Sequence, residues 1–201
     1  MFVKICGLRE AEHVATAVAA GADAVGFVLT PSPRRITPDR AAELAAEVPE
    51  EVLTVGVFAG QPVEEVRRLA EDSGVRAIQL HGAYPAEAFA ALADRPGTLI
   101  RAVGADTTQP LDTGAFGEDL LLVDAPRPGS GEPWDPAGLP ARPSGRWMLA
   151  GGLYPDTVAG AIGAARPWGV DVSSGVEISR GVKDSAAIRR FVAAARSAAT
   201  L

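Results

Sequence analysis

The residues of this chain with types and spacing suited to chemistry stand at the ends of short apolar runs. Cys6 closes Phe2-Val3-Lys4-Ile5, and Asp124 closes Leu120-Leu-Leu-Val123. Gln79 and His81 stand two apart in Gln-Leu-His-Gly, and Asp171 and Ser173 stand two apart in Gly-Val-Asp-Val-Ser. A free cysteine is usually a small buried hydrophobe. Side chains alternate along a strand, so if Cys6 faces inward, Lys4 does too. An ammonium there favours the thiolate and turns Cys6 into a base or a nucleophile. A carboxyl group after Leu-Leu-Leu-Val is expensive unless it is paired or working. Asp124 is therefore either a turn-starting aspartate before a proline-rich segment or a working carboxyl group. The same alternation puts Gln79 with His81, and Asp171 with Ser173, so Asp171 points at a bound molecule or at Lys4. Arg34 and Arg35, in Thr30-Pro-Ser-Pro-Arg-Arg, either decorate a solvated loop or reach inward to hold a carboxylate in a bidentate pair.

The stretch from Trp147 to Glu177 adds a second kind of site. One apolar run ends in Gly151-Gly152 and the next in Ser173-Ser174-Gly175. Small residues after strands leave backbone N–H groups open to an anion, and a helix between two such loops points its N-terminus the same way. Late in a chain of alternating strands and helices, such a pair is a phosphate cradle.

Positioning these groups requires strands that all end on one side. The periodicity predicts strands at Phe2–Cys6, Asp23–Leu29, Val52–Phe58, Arg76–Leu80, Thr98–Val103, Leu120–Val123, Arg146–Ala150 and Val170–Val172. Helical patterns lie between them: Glu10–Ala20, Thr37–Val48, Pro62–Asp72, Pro85–Ala93, a short segment at Gln109–Phe116, and Pro155–Ala164. Ser185–Ala198 follows the last strand. Residues 126–143 read as a long loop with at most a short helix at Trp134–Leu139. Gly21, Gly74 and Gly169 share one design, a glycine that ends a helix with a strand beginning just after it. Eight βα units in 201 residues predict one (βα)8 TIM barrel, a single α/β domain over 1–201. No Gly-x-Gly-x-x-Gly follows the first strand, which disfavours an open doubly wound sheet.

Composition narrows the function classes. With 47% hydrophobic and 22% charged residues, the chain has an ordinary globular balance. A net charge of −6 without a basic cluster argues against nucleic acid, and no apolar run is long enough for a membrane. One cysteine and two distant histidines, His13 and His81, provide no metal set and no disulfide, and His13 reads as a solvated helix residue. No signal-peptide pattern precedes the first strand, so a cytoplasmic protein is expected. Acid–base chemistry on a small phosphorylated substrate, with no cofactor, suits this inventory.

The motifs Val3-Lys-Ile-Cys-Gly-Leu8, Gly21-Ala-Asp-Ala-Val-Gly-Phe27, Ser32-Pro-Arg-Arg35, Val55-Gly-Val-Phe58, Gln79-Leu-His-Gly82, Leu122-Val-Asp124, Ala150-Gly-Gly-Leu-Tyr-Pro155 and Val170-Asp-Val-Ser-Ser-Gly-Val-Glu177 with Lys183-Asp184 closely resemble the phosphoribosylanthranilate isomerase family along the whole chain. The resemblance implies the (βα)8 barrel and a step of tryptophan biosynthesis. That step is the Amadori rearrangement of N-(5′-phosphoribosyl)anthranilate to 1-(2-carboxyphenylamino)-1-deoxyribulose 5-phosphate. It implies Asp124 as general acid and Cys6 as general base. Arg35 takes the position that contacts the anthranilate side, with Gln79, His81 and Asp171 also expected at the substrate. Gly152 and Ser174 match phosphate contacts, with Gly151, Ser173 and Gly175 beside them. A monomer or a homodimer is expected. The segment after Asp124 departs from the family, which commonly has a longer glycine-rich stretch ending in Phe-Asp-Trp. Here Gly131, Trp134 and Asp135 stand among extra prolines.

Two other readings remain at this stage. The related Amadori isomerase of histidine biosynthesis has an aspartate where Cys6 stands and a phosphate loop in each half of its barrel. A non-catalytic phosphosugar-binding barrel would keep the late loops but has no need for both Cys6 and Asp124.

Overall fold

The strand periodicity closes into a ring. In a computed structural model of the chain, which describes residues 1–126, 139 and 141–198, eight parallel strands pair in sequence order and the last returns to the first. They are β1 (Phe2–Cys6), β2 (Ala24–Val28), β3 (Leu53–Phe58), β4 (Ala77–His81), β5 (Thr98–Gly104), β6 (Leu120–Asp124), β7 (Trp147–Leu149) and β8 (Gly169–Val172). Alternation then sorts every strand into two faces. Val3, Ile5, Ile78, Leu80, Leu121, Val123, Trp147 and Leu149 pack outward, under the helices. Cys6, Ala24, Val28, Ala77, Ile100, Leu122 and Met148 fill the interior. Both layers are essentially dry, so the polar residues that share the inner face are those the fold has to satisfy in pairs.

The helices are α1 (Ala11–Ala19), α2 (Pro38–Ala46), α3 (Val63–Asp72), α4 (Ala86–Ala90), α5 (Val158–Ala165) and α6 (Ser185–Ala198). Local chemistry starts several of them. The Thr37 hydroxyl accepts from the Arg40 N–H at 3.2 Å and Pro38 opens α2. Asp184 caps α6 by accepting from the N–H groups of Ala186 and Ala187 at 2.7 and 3.2 Å.

Three expectations change. The segment Gln109–Phe116 forms turns rather than a helix. Pro110 and Gly114 interrupt it, and Arg101, on the outer face of β5, occupies the space a helix would fill. Its guanidinium pairs with Glu118 at 2.8 Å and donates to the carbonyls of Pro110 and Asp112. The repeated glycine holds for Gly21 (φ 90°) and Gly74 (φ 61°), which adopt the left-handed backbone that ends a helix, but not for Gly169. Gly169 lies within β8, where a Cβ would stand 2.8 Å from the Phe2 carbonyl oxygen. The left-handed residue after α5 is Arg166. The third change is an element the strand pattern did not announce. After β8, a 3-10 turn (Ser174–Val176) leads into a hairpin, β9 (Glu177–Ser179) with β10 (Val182–Lys183), beside the C-terminal ends of the strands. The helix expected at Trp134–Leu139, and the departures at Gly131, Trp134 and Asp135, lie outside the described residues.

Candidate active site

Strand alternation and register together bring the sequence-marked polar residues into one cavity of about 370 Å³ at the C-terminal end of the barrel. Cys6, Gln79, His81, Asp124 and Asp171 all line it, as do Gly151, Gly152, Ser173, Ser174 and Gly175. His13 is half-buried on α1, away from this cavity.

Arg35 is the exception. It is exposed and lies outside the cavity, whereas its neighbour Arg34 is buried and lines it. Against the expectation for Arg35, it is Arg34 that faces the cavity. The reason is local. Backbone pairing of Arg35 with Val28 turns successive side chains to opposite sides, and Glu177 captures Arg34 on the inner side. Arg34 Nε and Nη2 donate to Glu177 Oε1 and Oε2 at 2.7 and 3.0 Å, a bidentate pair. Glu177 also receives Lys183 Nζ at 2.8 Å, and Lys183 donates in turn to the Ser173 carbonyl at 2.9 Å and the Ser173 hydroxyl at 3.2 Å. Burial pushes the Glu177 carboxyl up, but Arg34 and Lys183 outweigh it and hold the group at about 2. One carboxylate thus ties the loop after β2 to the loop after β8. Glu177 carried no role in the sequence reading because Arg34 is 143 positions away, and Lys183 carried none because the hairpin that brings it to Glu177 was not expected.

Deep in the cavity the pairing is equally specific. The register sets Lys4 beside Asp171, and Lys4 Nζ reaches Asp171 Oδ1 at 2.9 Å. Burial alone would lower the Lys4 ammonium, but Asp171 outweighs it and holds the group above the ordinary lysine range. Of the two directions open to Asp171, this is the one toward Lys4. The outcome for Cys6 differs from the simple expectation of a lowered thiol. Burial pushes the thiol up, Lys4 pulls it down, and the negative Asp171 adds to the rise, so the net direction is upward. Gly26 on β2 leaves room for this cluster. A Cβ there would stand 2.9 Å from Cys6 Sγ and 3.3 Å from Lys4 Nζ.

Across the barrel, Asp124 ends β6. Burial and then the negative Asp171 push its carboxyl up to about 7, against the Ala125 N–H, Lys4 and Arg34. It therefore holds a proton through much of the acidic and neutral range while remaining able to release it, as a general acid must. His81 is pulled below its usual value by burial and is neutral at pH 7. Gln79 is buried, and its Oε1 has no hydrogen-bond partner among the described residues. An orphaned acceptor facing a cavity is a ready site for a donor on a bound molecule.

The glycines of the two late loops divide their work. Gly151 (φ 78°) packs against Asp124 itself, since a Cβ there would come within 2.6 Å of Asp124 Oδ1 and would also meet Ala125. Gly175 lets the β8 loop lie on the Leu153 carbonyl. The N–H groups of Ser174 and Gly175 open the 3-10 turn and have no acceptor within it, which leaves them available to an anion.

A model of the family described as N-(5′-phosphoribosyl)anthranilate (PRA) isomerase matches residues 3–194. A protein of Roseiflexus sp. (strain RS-1) named N-(5′-phosphoribosyl)anthranilate isomerase is 47% identical over 214 residues, covering 98% of each chain. The crystal structure of TrpF from Jonesia denitrificans superposes with a TM-score of 0.91 at 49% identity, covering 99% of this chain and 98% of that one. A crystal structure of phosphoribosyl anthranilate isomerase in complex with reduced 1-(o-carboxyphenylamino)-1-deoxyribulose 5-phosphate superposes at 0.85 and 37% identity, covering 98% and 99%. The barrel, the cavity and these matches over nearly the full length agree: the chain belongs to the N-(5′-phosphoribosyl)anthranilate isomerase family.

Proposed function

We propose that this protein catalyses the Amadori rearrangement of N-(5′-phosphoribosyl)anthranilate in tryptophan biosynthesis, with Asp124 as general acid and Cys6 as general base. The observation that carries the assignment is the pair itself. A carboxyl group held near neutrality on β6 and a thiol on β1 face one cavity from opposite sides of the barrel. Two such groups can work on different atoms of one sugar.

Neutral Asp124 donates its proton to the ribose ring oxygen. The C1′–O bond breaks, and the nitrogen lone pair completes an iminium. Cys6 then removes the C2′ proton, giving an enolamine that tautomerises to the ketoamine. The upward-shifted thiol of the empty site is compatible with this order. The iminium brings a positive charge beside Cys6 at the moment a thiolate is needed, and Lys4 favours the same charge state. Proton loss next to an iminium is easy enough for a thiolate at neutral pH.

The phosphate rests on the N–H groups around Gly152, Ser174 and Gly175 and on the hydroxyls of Ser173 and Ser174, with Gly151 shaping the loop. Gln79 and His81 line the wall opposite, where Oε1 of Gln79 accepts from a sugar hydroxyl. Asp171 acts mainly through Lys4 and through its charge on Asp124.

The test is fluorescence-monitored consumption of phosphoribosylanthranilate by the purified protein. Wild type turns the substrate over, and Cys6→Ala and Asp124→Asn each lose roughly a hundredfold or more in kcat, the usual share of one acid–base group. Parental rates in both variants would refute the roles. No turnover by wild type would refute the function.

A further inference from the structure

We propose that Lys183, on β10, is a positioning residue for the phosphate. Without reaching the cavity, it aims two hydrogen-bond donors of the β8 loop at the anion, the Ser173 hydroxyl and the Ser174 N–H. The proposal rests on the function given above, in which the substrate ends in a phosphate monoester.

An ammonium has three hydrogens to donate and cannot accept, and each hydrogen of Lys183 has a destination. Nζ donates to the Ser173 carbonyl at 2.9 Å, to the Ser173 hydroxyl at 3.2 Å and to Glu177 Oε1 at 2.8 Å. Lys183 is 3% exposed and, unlike Ser173 and Ser174, does not line the cavity. It stands behind the loop, and its effect on a bound molecule passes through Ser173. Its charge is matched by the Glu177 carboxylate, so what it transmits is direction rather than net charge.

That direction acts on two groups. A serine hydroxyl can donate or accept, whereas the free oxygens of a phosphate monoester dianion only accept. Because Lys183 donates into Ser173 Oγ, the hydroxyl hydrogen is turned away from the ammonium, and it meets no acceptor among the described residues. Ser173 is thereby set as a donor toward the cavity it lines. The peptide that follows is oriented by the same contact. A trans peptide is planar, with its C=O and N–H pointing in opposite directions, and no peptide among the described residues is cis. Lys183 holds the Ser173 carbonyl behind the loop. The other end of that peptide, the Ser174 N–H, therefore points to the cavity side, where it too has no acceptor among the described residues. One buried side chain thus presets both donors before the anion arrives, which spares their ordering on binding.

The test is titration calorimetry, which reads binding independently of turnover. The two ligands are the reduced product analogue with its phosphate and the same compound without it. For Lys183→Met the Kd of the phosphorylated ligand should rise about tenfold, the size of one or two modest hydrogen bonds. The Kd of the dephosphorylated ligand should stay within about twofold. In a Ser173→Ala background the hydroxyl is already gone, so the same substitution should cost only about threefold, the share of the Ser174 N–H. Lys183→Gln is uncharged and carries its donor one bond short. It bears the same expectation where Lys183→Met does not fold. Equal weakening of both ligands, as from a general loosening of the loop, would overturn the positioning role. So would full multiplication of the Ser173 and Lys183 losses, or unchanged binding. A wild type that binds the phosphorylated ligand but does not turn over phosphoribosylanthranilate would instead overturn the proposed function and leave the positioning role standing.

Discussion

Replacing Asp124 with Asn is expected to stabilise the protein at neutral and alkaline pH while removing the proposed general acid. The Asp124 carboxyl is pushed up to about 7 by burial and by Asp171, whereas an unfolded chain ionises an aspartate near 4. Below pH 4 both states hold the proton and the group contributes nothing to pH dependence. Between pH 4 and 7 the unfolded chain gives up the proton and the native protein keeps it. Stability therefore falls as pH rises, and the loss is complete above the native value. At about 1.4 kcal/mol per pH unit the full effect is on the order of 4 kcal/mol, and water in the open cavity screens it toward roughly 2 kcal/mol. Asn keeps the shape and an acceptor for the Ala125 N–H, which Asp124 Oδ1 receives at 2.8 Å, but it never ionises. Urea unfolding of both proteins from pH 4 to pH 8.5 measures the difference, in which titrating groups remote from Asp124 cancel. The Asn variant should gain steadily on wild type across that window, by about 2 to 4 kcal/mol in total. Its kcat should be lower by a factor of about 10² to 10⁴. Two unfolding curves that run parallel with pH would show that Asp124 ionises normally in the native state. They would remove the physical ground for calling it the acid.

The remaining expectations concern the neighbours of the acid–base pair. Gly26→Ala places a methyl group 2.9 Å from Cys6 Sγ and 3.3 Å from Lys4 Nζ. Overpacking of this kind costs about 1 to 3 kcal/mol, so kcat should drop and thiol alkylation should slow, both read on the purified variant at a temperature where it remains folded. Arg35→Ala should leave KM within twofold and the unfolding temperature unchanged, because the side chain is exposed and outside the cavity. Arg34→Ala should raise KM and cost up to about 3 kcal/mol, since it removes the bidentate partner of the buried Glu177 carboxylate and leaves it to Lys183 and the Gly181 N–H. Steady-state kinetics and thermal unfolding of the two variants distinguish them.

How much of this site could be read from the chain depends on where each residue sits in the backbone. On strands the period of two is rigid. The pairs Lys4 with Cys6, Gln79 with His81, and Asp171 with Ser173 could therefore be assigned to one face from spacing alone, and the barrel bears this out. In the loop after β2 no period applies, so neither arginine of the pair could be preferred from spacing. The residue that decides between them, Glu177, is 143 positions away from Arg34. The same distance problem explains the thiol. Spacing placed Lys4 next to Cys6, but the register between β1 and β8 brings in Asp171, 167 positions from Lys4. That carboxylate offsets part of the pull of Lys4 on the thiol, and burial, the largest cause, carries the net shift upward. The same carboxylate also raises Asp124 across the barrel. Burial first, and the Asp171 charge added to it, thus push both groups toward their protonated forms in the empty cavity, which suits a reaction whose first event is proton donation. The base is then needed only after the substrate has become a cation, and the positive charge that calls for it is supplied by the substrate's own nitrogen.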